Sequence, residues 1–202
     1  MAADKLAPNI LSDIAAQIAE RLPASMELAA PGAAPGLGES LKIVMLPLDA
    51  VKSGEGPLAQ RIIETGQWHH QIYAGRKAVN FARSIAPPGA PNGRHEVVEV
   101  ATSTLPEALK KSIQWVDANM PDATDAEVLV APAYFLTGLW IRGETGDSVV
   151  ISSMADGLDG LDLNQRIDSG EFLSRLANNE PVQGLGQLPK LHGDESEIGE
   201  PA

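Results

Sequence analysis

The sequence predicts an α+β fold: two layers, a mostly antiparallel or mixed sheet with helices on one face, and flexible segments at both termini. Three observations lead there. Residues 127–152, EVLVAPAYFLTGLWIRGETGDSVVIS, read as one long apolar strand, a Gly-rich polar turn and a second strand. Residues 67–85 alternate on either side of a central Ala-Gly-Arg-Lys, the pattern of a β-hairpin turning near Gly75. Two other segments, 9–22 and 104–120, carry apolar residues at helical spacing.

The elements follow in chain order. In 9–22, Leu11, Ile14, Ala15, Ile18 and Leu22 share one helical face, Asn9 stands at the N-cap position and Pro23 stops the helix. Residues 23–40, rich in Ala, Pro and Gly, read as a linker or a poorly ordered stretch. A buried strand is expected from Leu41, bent or ended by Pro47. Pro57 opens a predicted short helix, PLAQRIIET, with Leu58, Ile62 and Ile63 inward and Gly66 as its stop. The hairpin at 67–85 comes next, with a helix over 74–84 as the competing reading. A loop at 86–95 and a strand at 96–103 follow. TLPE at 104–107 has the form of a capping box, Thr104 accepting from the backbone three residues on and Glu107 reaching back. The helix after it shows a stripe of Leu105, Leu109, Ile113, Val116 and Met120, and Pro121 follows its end. Beyond Met154 the composition turns to Gly, Asp, Asn and Pro. One short helix is expected at 169–177, capped by Ser169, with Phe172, Leu173 and Leu176 on one side, and disorder over 189–202. No internal repeat of fixed period is visible.

The domain organisation that results is an amphipathic helix plus linker over 1–40, one α+β core over 41–153 and an acidic tail over 154–202. The net charge of −12 is spread as −3, −2 and −7 over those three parts. Such a chain is repelled by phosphate backbones and anionic lipid, so neither nucleic acid nor membrane is an expected partner. No window reaches the roughly 18 apolar residues of a membrane span. MAADKLAPN has no basic region followed by an apolar block, so no secretory signal is expected and cytoplasm is the default location. The absence of cysteine removes disulfides, thiolate catalysis and Cys-ligated metals.

Few residues carry catalytic promise. His69 and His70 are adjacent, and on a strand they point to opposite faces, so one metal cannot readily take both. One of them is placed to meet His95 across the fold. Ser53, Ser84, Ser103 and Thr104 are the candidate nucleophiles for a Ser/His/acid arrangement, but no G-x-S-x-G elbow is present. GAAPGLGES lacks a phosphate-binding pattern, and Asp156, Asp159 and Asp162 lack the alternate spacing of a calcium loop. No cofactor and no metal site are expected. In the 127–141 stretch, bulk falls on both strand faces. One parity holds Ala133, Phe135, Thr137, Leu139 and Ile141, and the other holds Tyr134, Leu136, Gly138 and Trp140. A strand apolar on both faces is covered twice, by core, by the terminal segments or by a partner.

Two functions compete on these residues. The first is a non-enzymatic interaction or assembly module. It docks to another protein or to a second copy of itself through the terminal segments or an apolar sheet face, with Leu11, Ile14, Ile18, Leu22, Tyr134 and Trp140 as the contact residues. The alternative is a small hydrolase or lyase in which His69 or His70, with His95, serves as general base. Arg76, Arg83 or Arg94 would then hold an anionic substrate.

Overall fold

A computed structural model describes residues 6–22, 36–52, 55–87, 93–144 and 146–182. Helix α1 (Pro8–Arg21) starts with proline in its first turn, where the missing N–H leaves nothing unpaired. Strand β1 (Gly36–Met45) ends just before Pro47, which leads into the short helix α2 (Leu48–Lys52). Strands β2 (Ile63–Ala74) and β3 (Lys77–Ile85) form the predicted hairpin. Gly75 makes its turn at φ +62°, a conformation that costs glycine nothing. Strand β4 (Glu96–Ala101) closes an antiparallel meander of four. Helix α3 (Leu105–Asn119) then crosses the sheet and feeds a second meander: β5 (Ala123–Ala131), β6 (Leu136–Gly143), β7 (Gly146–Ser153) and the three-residue β8 (Arg166–Asp168). Helix α4 (Ser169–Ala177) follows. The two meanders join through one parallel pairing, Ile43, Val44 and Met45 of β1 against Val128, Leu129 and Val130 of β5. The result is a single mixed sheet ordered β4-β3-β2-β1-β5-β6-β7-β8.

Strand alternation sorts the core into two faces. On one, Leu41, Ile43, Val128, Leu139, Ile141 and Val150 meet Leu109, Ile113 and Val116 of α3. On the other, Leu129, Leu136, Trp140, Val149 and Ile151 meet Phe172, Leu173 and Leu176 of α4 and Val51 of α2. Farther along that second face, Ile14 and Ile18 of α1 pack on Ile72, Ala82 and Val97. Each Val, Leu, Ile or Phe side chain among them taken fully from water contributes roughly 1.5–3 kcal/mol. The α+β class with a mixed, largely antiparallel sheet is as the sequence predicts. Helices flank both faces, one layer more than expected, because strands apolar on both sides need cover on both. The segment after Met154 adds β8 and α4, and Leu158, Leu161 and Ile167 join the α4-side core.

Several local expectations are corrected. The apolar run after Glu127 is two antiparallel strands, because Pro132–Tyr134 forms a single helical turn that reverses the chain. Residues 36–40 belong to β1 rather than to a linker. Pairing with β2 overrides the poor strand propensity of glycine, and Gly38 has no Cβ to strike the Tyr73 ring lying against it. The helix expected at 57–65 shrinks to a turn at Leu58–Gln60, since Ile63 and Glu64 are drawn into pairing with Met45 and Val44. Gly66, at φ +69°, sits at a bulge of that pairing and stops no helix. Thr104 has helical backbone angles, so its side chain makes no cap. Ser103 Oγ accepts from the Leu105 N–H at 3.2 Å instead, and Glu107 pairs with Lys110. Asn9 lies inside α1, with Ala7 at the N-cap position. Asp168, not Ser169, caps α4, its Oδ1 accepting from the Gly170 N–H at 2.9 Å. Pro23, the 23–35 part of the linker and residues 189–202 lie outside the described residues.

Candidate functional site

The β2–β3 hairpin places His69 and His70 on opposite faces, as alternation requires. His70 is fully buried on the α1 side. Its Nδ1 lies 2.9 Å from Ser40 Oγ on β1, and its Nε2 lies 2.7 Å from Ser84 Oγ on β3. Ser84 Oγ is in turn 3.1 Å from His95 Nδ1, just before β4. Four side chains from four places in the sequence thus form one hydrogen-bonded chain across the sheet. The Trp68 ring meets His95 edge-on, with centroids 6.2 Å apart. Burial pulls the His70 imidazole down to about 3, with His69 and His95 opposing its charge as well, and burial also lowers His95.

His69 sits apart, on the α3 side. Its ring stacks on Phe81 with centroids 5.2 Å apart, its Nε2 has no hydrogen-bond partner among the described residues, and burial, only partly offset by the neighbouring Gln71, pulls it down to about 4. The fold therefore joins His70 to His95 and separates both from His69. Ser84 is the one predicted nucleophile candidate that meets a histidine. Ser53 lies outside the described residues, and Ser103 serves the start of α3. The hydrogen-bonded chain contains no carboxylate, and no group of three metal-capable side chains occurs among the described residues. The arginines do not converge on it. Arg83 pairs with Glu99 at 2.7 Å on the opposite face, and Arg76 and Arg94 are exposed.

The predicted contact residues divide as follows. Ile14 and Ile18 are buried on the chain's own sheet, while Leu11 and Leu22 are half-buried. Tyr134 and Trp140 are interior, with the Arg142 guanidinium 4.7 Å from the Trp140 ring centre. Helix α1 is also held by polar bonds to the outer edge of β4. Gln17 accepts from the Val97 N–H and donates to the His95 carbonyl, both at 2.9 Å, and Arg21 donates to the Val97 carbonyl. These side chains occupy backbone groups that an edge strand would otherwise offer to another strand. Polar residues on a helix's flank give no sequence signal of such a role.

A second feature escaped sequence reasoning. Ile63, Met45, Val130 and Thr137 lie in register across β2, β1, β5 and β6 on the α3 side, and none is fully buried. Ile63 is 48% exposed. At the same end of the sheet, Phe135 is 51% exposed and adopts φ +45°, ψ +38°, a left-handed conformation costly for a bulky residue. Leu163, bridged to Ile151 of β7, is also about half exposed there. No protein-family model, curated protein or solved structure matches this chain. No helix among the described residues is long and apolar enough to cross a membrane.

Proposed function

We propose that the chain is a non-enzymatic protein-interaction module that docks another protein, or a second copy of itself, through the apolar end of its sheet. The observation that supports this reading is the row of Ile63, Met45 and Val130, with Phe135 and Leu163 beyond it. Exposed apolar side chains scattered singly need no explanation, whereas Ile63, Phe135 and Leu163 are exposed at one end of one sheet, with the half-buried Met45 and Val130 in the strands between, and such grouping favours a contact surface. With strands about 5 Å apart, the span from β2 to β7 is about 20 Å, enough for one edge of a protein contact. Phe135 strengthens the reading, since backbone strain at an exposed aromatic is commonly tied to function. A histidine general base has less support. His70 and Ser84 are fully buried, no carboxylate among the described residues bonds to the His70 or His95 ring, and a base so far below neutrality takes a proton weakly.

The test combines light scattering on the purified chain with capture from native lysate. It compares wild type with Ile63→Lys and Phe135→Gly, both at exposed positions. A self-association or a specific captured protein that both variants lose, with thermal unfolding held within about 1 kcal/mol of wild type, supports the proposal. Binding unchanged in both variants refutes it.

A further inference from the structure

The hydrogen-bonded chain from Ser40 to His95 counts protons. With both rings neutral it runs in either sense. Ser40 O–H donates to His70 Nδ1, His70 Nε2–H to Ser84 Oγ, and Ser84 O–H to His95 Nδ1, or every donor reverses. One added proton is still accommodated, on either ring. On His95, Nδ1–H donates to Ser84, Ser84 O–H to His70 Nε2 and His70 Nδ1–H to Ser40; on His70, both nitrogens donate, to Ser40 and Ser84, while Ser84 keeps its own proton for His95. A second added proton is not accommodated. Ser84 Oγ would face an N–H from each ring, its own proton would lose its acceptor within the chain, and two cationic rings would share one buried oxygen. Their facing nitrogens would lie less than about 6 Å apart, where like charges repel strongly in a dry interior.

The surroundings offer the second charge little. On the face shared by His70 and His95, the neighbouring charged groups are Lys42 of β1, 5.9 Å from the Trp68 ring, and Arg21 of α1, with the buried Glu127 carboxyl of β5 beyond Lys42, whose charge acts on it. Glu96 and Glu99 of β4, with Arg83 of β3, lie in register on the opposite face, where His69 also sits. Asp13 and Glu20 of α1 and Arg94 before β4 are exposed. The strain falls on His95, whose carbonyl is one of the three β4-edge groups that α1 holds. Among the described residues, the apolar seat of α1 is also the smallest of the three cores, five buried side chains, and it is separate from the other two.

We propose that the Ser40–His70–Ser84–His95 chain is an acid-sensitive latch on α1: it holds one added proton and parts on the second, releasing α1 from the β4 edge while the rest of the sheet stays folded. Release would turn Ile14 and Ile18 outward together with Leu11 and Leu22, an apolar stripe able to dock elsewhere, and would open the backbone edge of β4. The device is independent of the apolar end of the sheet, so either reading can fail without the other.

Hydrogen exchange on the full chain tests it, from neutral pH to about pH 2.5, past the value near 3 to which burial pulls His70, after correction for the intrinsic pH dependence of exchange. Amides of α1 and β4 are expected to lose protection by about 10- to 100-fold, while those of β5–β7 keep theirs. In His95→Gln the α1 protection should no longer depend on pH. Imidazole NMR on the wild type provides an independent count, in which α1 release coincides with the second proton taken up by the His70–His95 pair. Loss of α1 and β5–β7 protection together, acid dependence unchanged in His95→Gln, or two protons bound with α1 still docked would each overturn the latch.

Discussion

Replacing His69 with Phe should flatten the acid limb of the stability curve. The ring is buried on the α3 side of the sheet, stacked on Phe81 with an interplanar angle of 18°, and its Nε2 has no hydrogen-bond partner among the described residues. Burial holds it at about 4 against an ordinary 6.5. Between those values the unfolded chain binds a proton that the folded chain refuses. The contribution is therefore complete above pH 6.5 and drains away as pH falls towards 4. The gap corresponds to about 3 kcal/mol in all, or about 1.4 kcal/mol for each pH unit. Phe fills much the same volume, preserves the stacking and cannot titrate. Urea unfolding of wild type and His69→Phe, followed by circular dichroism at several pH values, reads the difference directly, since His70 and His95 act alike in both chains. The variant should gain on the wild type by about 3 kcal/mol between neutral pH and about pH 4. Parallel pH profiles would show that His69 takes up its proton equally well folded and unfolded, and would refute the argument from burial.

Gly138→Ala should destabilise by about 3 kcal/mol in denaturant unfolding, because the added Cβ would sit 2.7 Å from the Val150 carbonyl oxygen and 3.2 Å from Ile151 Cα, both backbone atoms of the paired strand. A cost under about 0.5 kcal/mol would mean that β6 and β7 part easily. Phe172→Ala should cost about 4 kcal/mol by the same measurement, since the ring is fully buried between α4 and the sheet. Ser112→Ala should cost about 2 kcal/mol, because Ser152 Oγ donates to Ser112 Oγ at 2.7 Å and Ser112 donates to Asn164 at 2.8 Å, leaving buried groups unpaired on its removal. A neutral Ser112→Ala would indicate that those groups find other partners.

Where the sequence spoke through periodicity, the structure agrees. Leu109, Ile113, Val116 and Met120 are buried along α3, Phe172, Leu173 and Leu176 along α4, and the hairpin turns at Gly75. Alternation correctly separated His69 from His70, and doubled apolar faces correctly implied cover on both sides of β6. Failures came where tertiary pairing outweighed local preference. Gly36 and Gly38 lie in a strand because β2 is beside them, and Ile63 leaves a helical pattern because Met45 is opposite. The turn at Pro132–Tyr134 was hidden by the apolar character of the residues that make it. Of the candidate site, the meeting of His70 with His95 was legible only as a possibility. The serines that join them lie on separate strands, and only strand register brings them together.

Each meander is preceded by a helix that packs on the opposite face from the other's, α1 before β1 and α3 before β5. A rotation of half a turn about an axis running along the strands, between β1 and β5, superposes one arrangement on the other in outline. The chain is in that sense built like a pair of subunits fused end to end, with the fusion at the exposed residues 102–104. The seam contains Ile43, Val44 and Met45 from one half and Val128, Leu129 and Val130 from the other, and α3 and α2 each reach across it. Neither half can bury its central strand alone. Severed at Ser103, the two fragments should stay apart as unfolded chains when separate and recombine into a native-like complex when mixed. The assembly of this protein could then be switched on by bringing two pieces together.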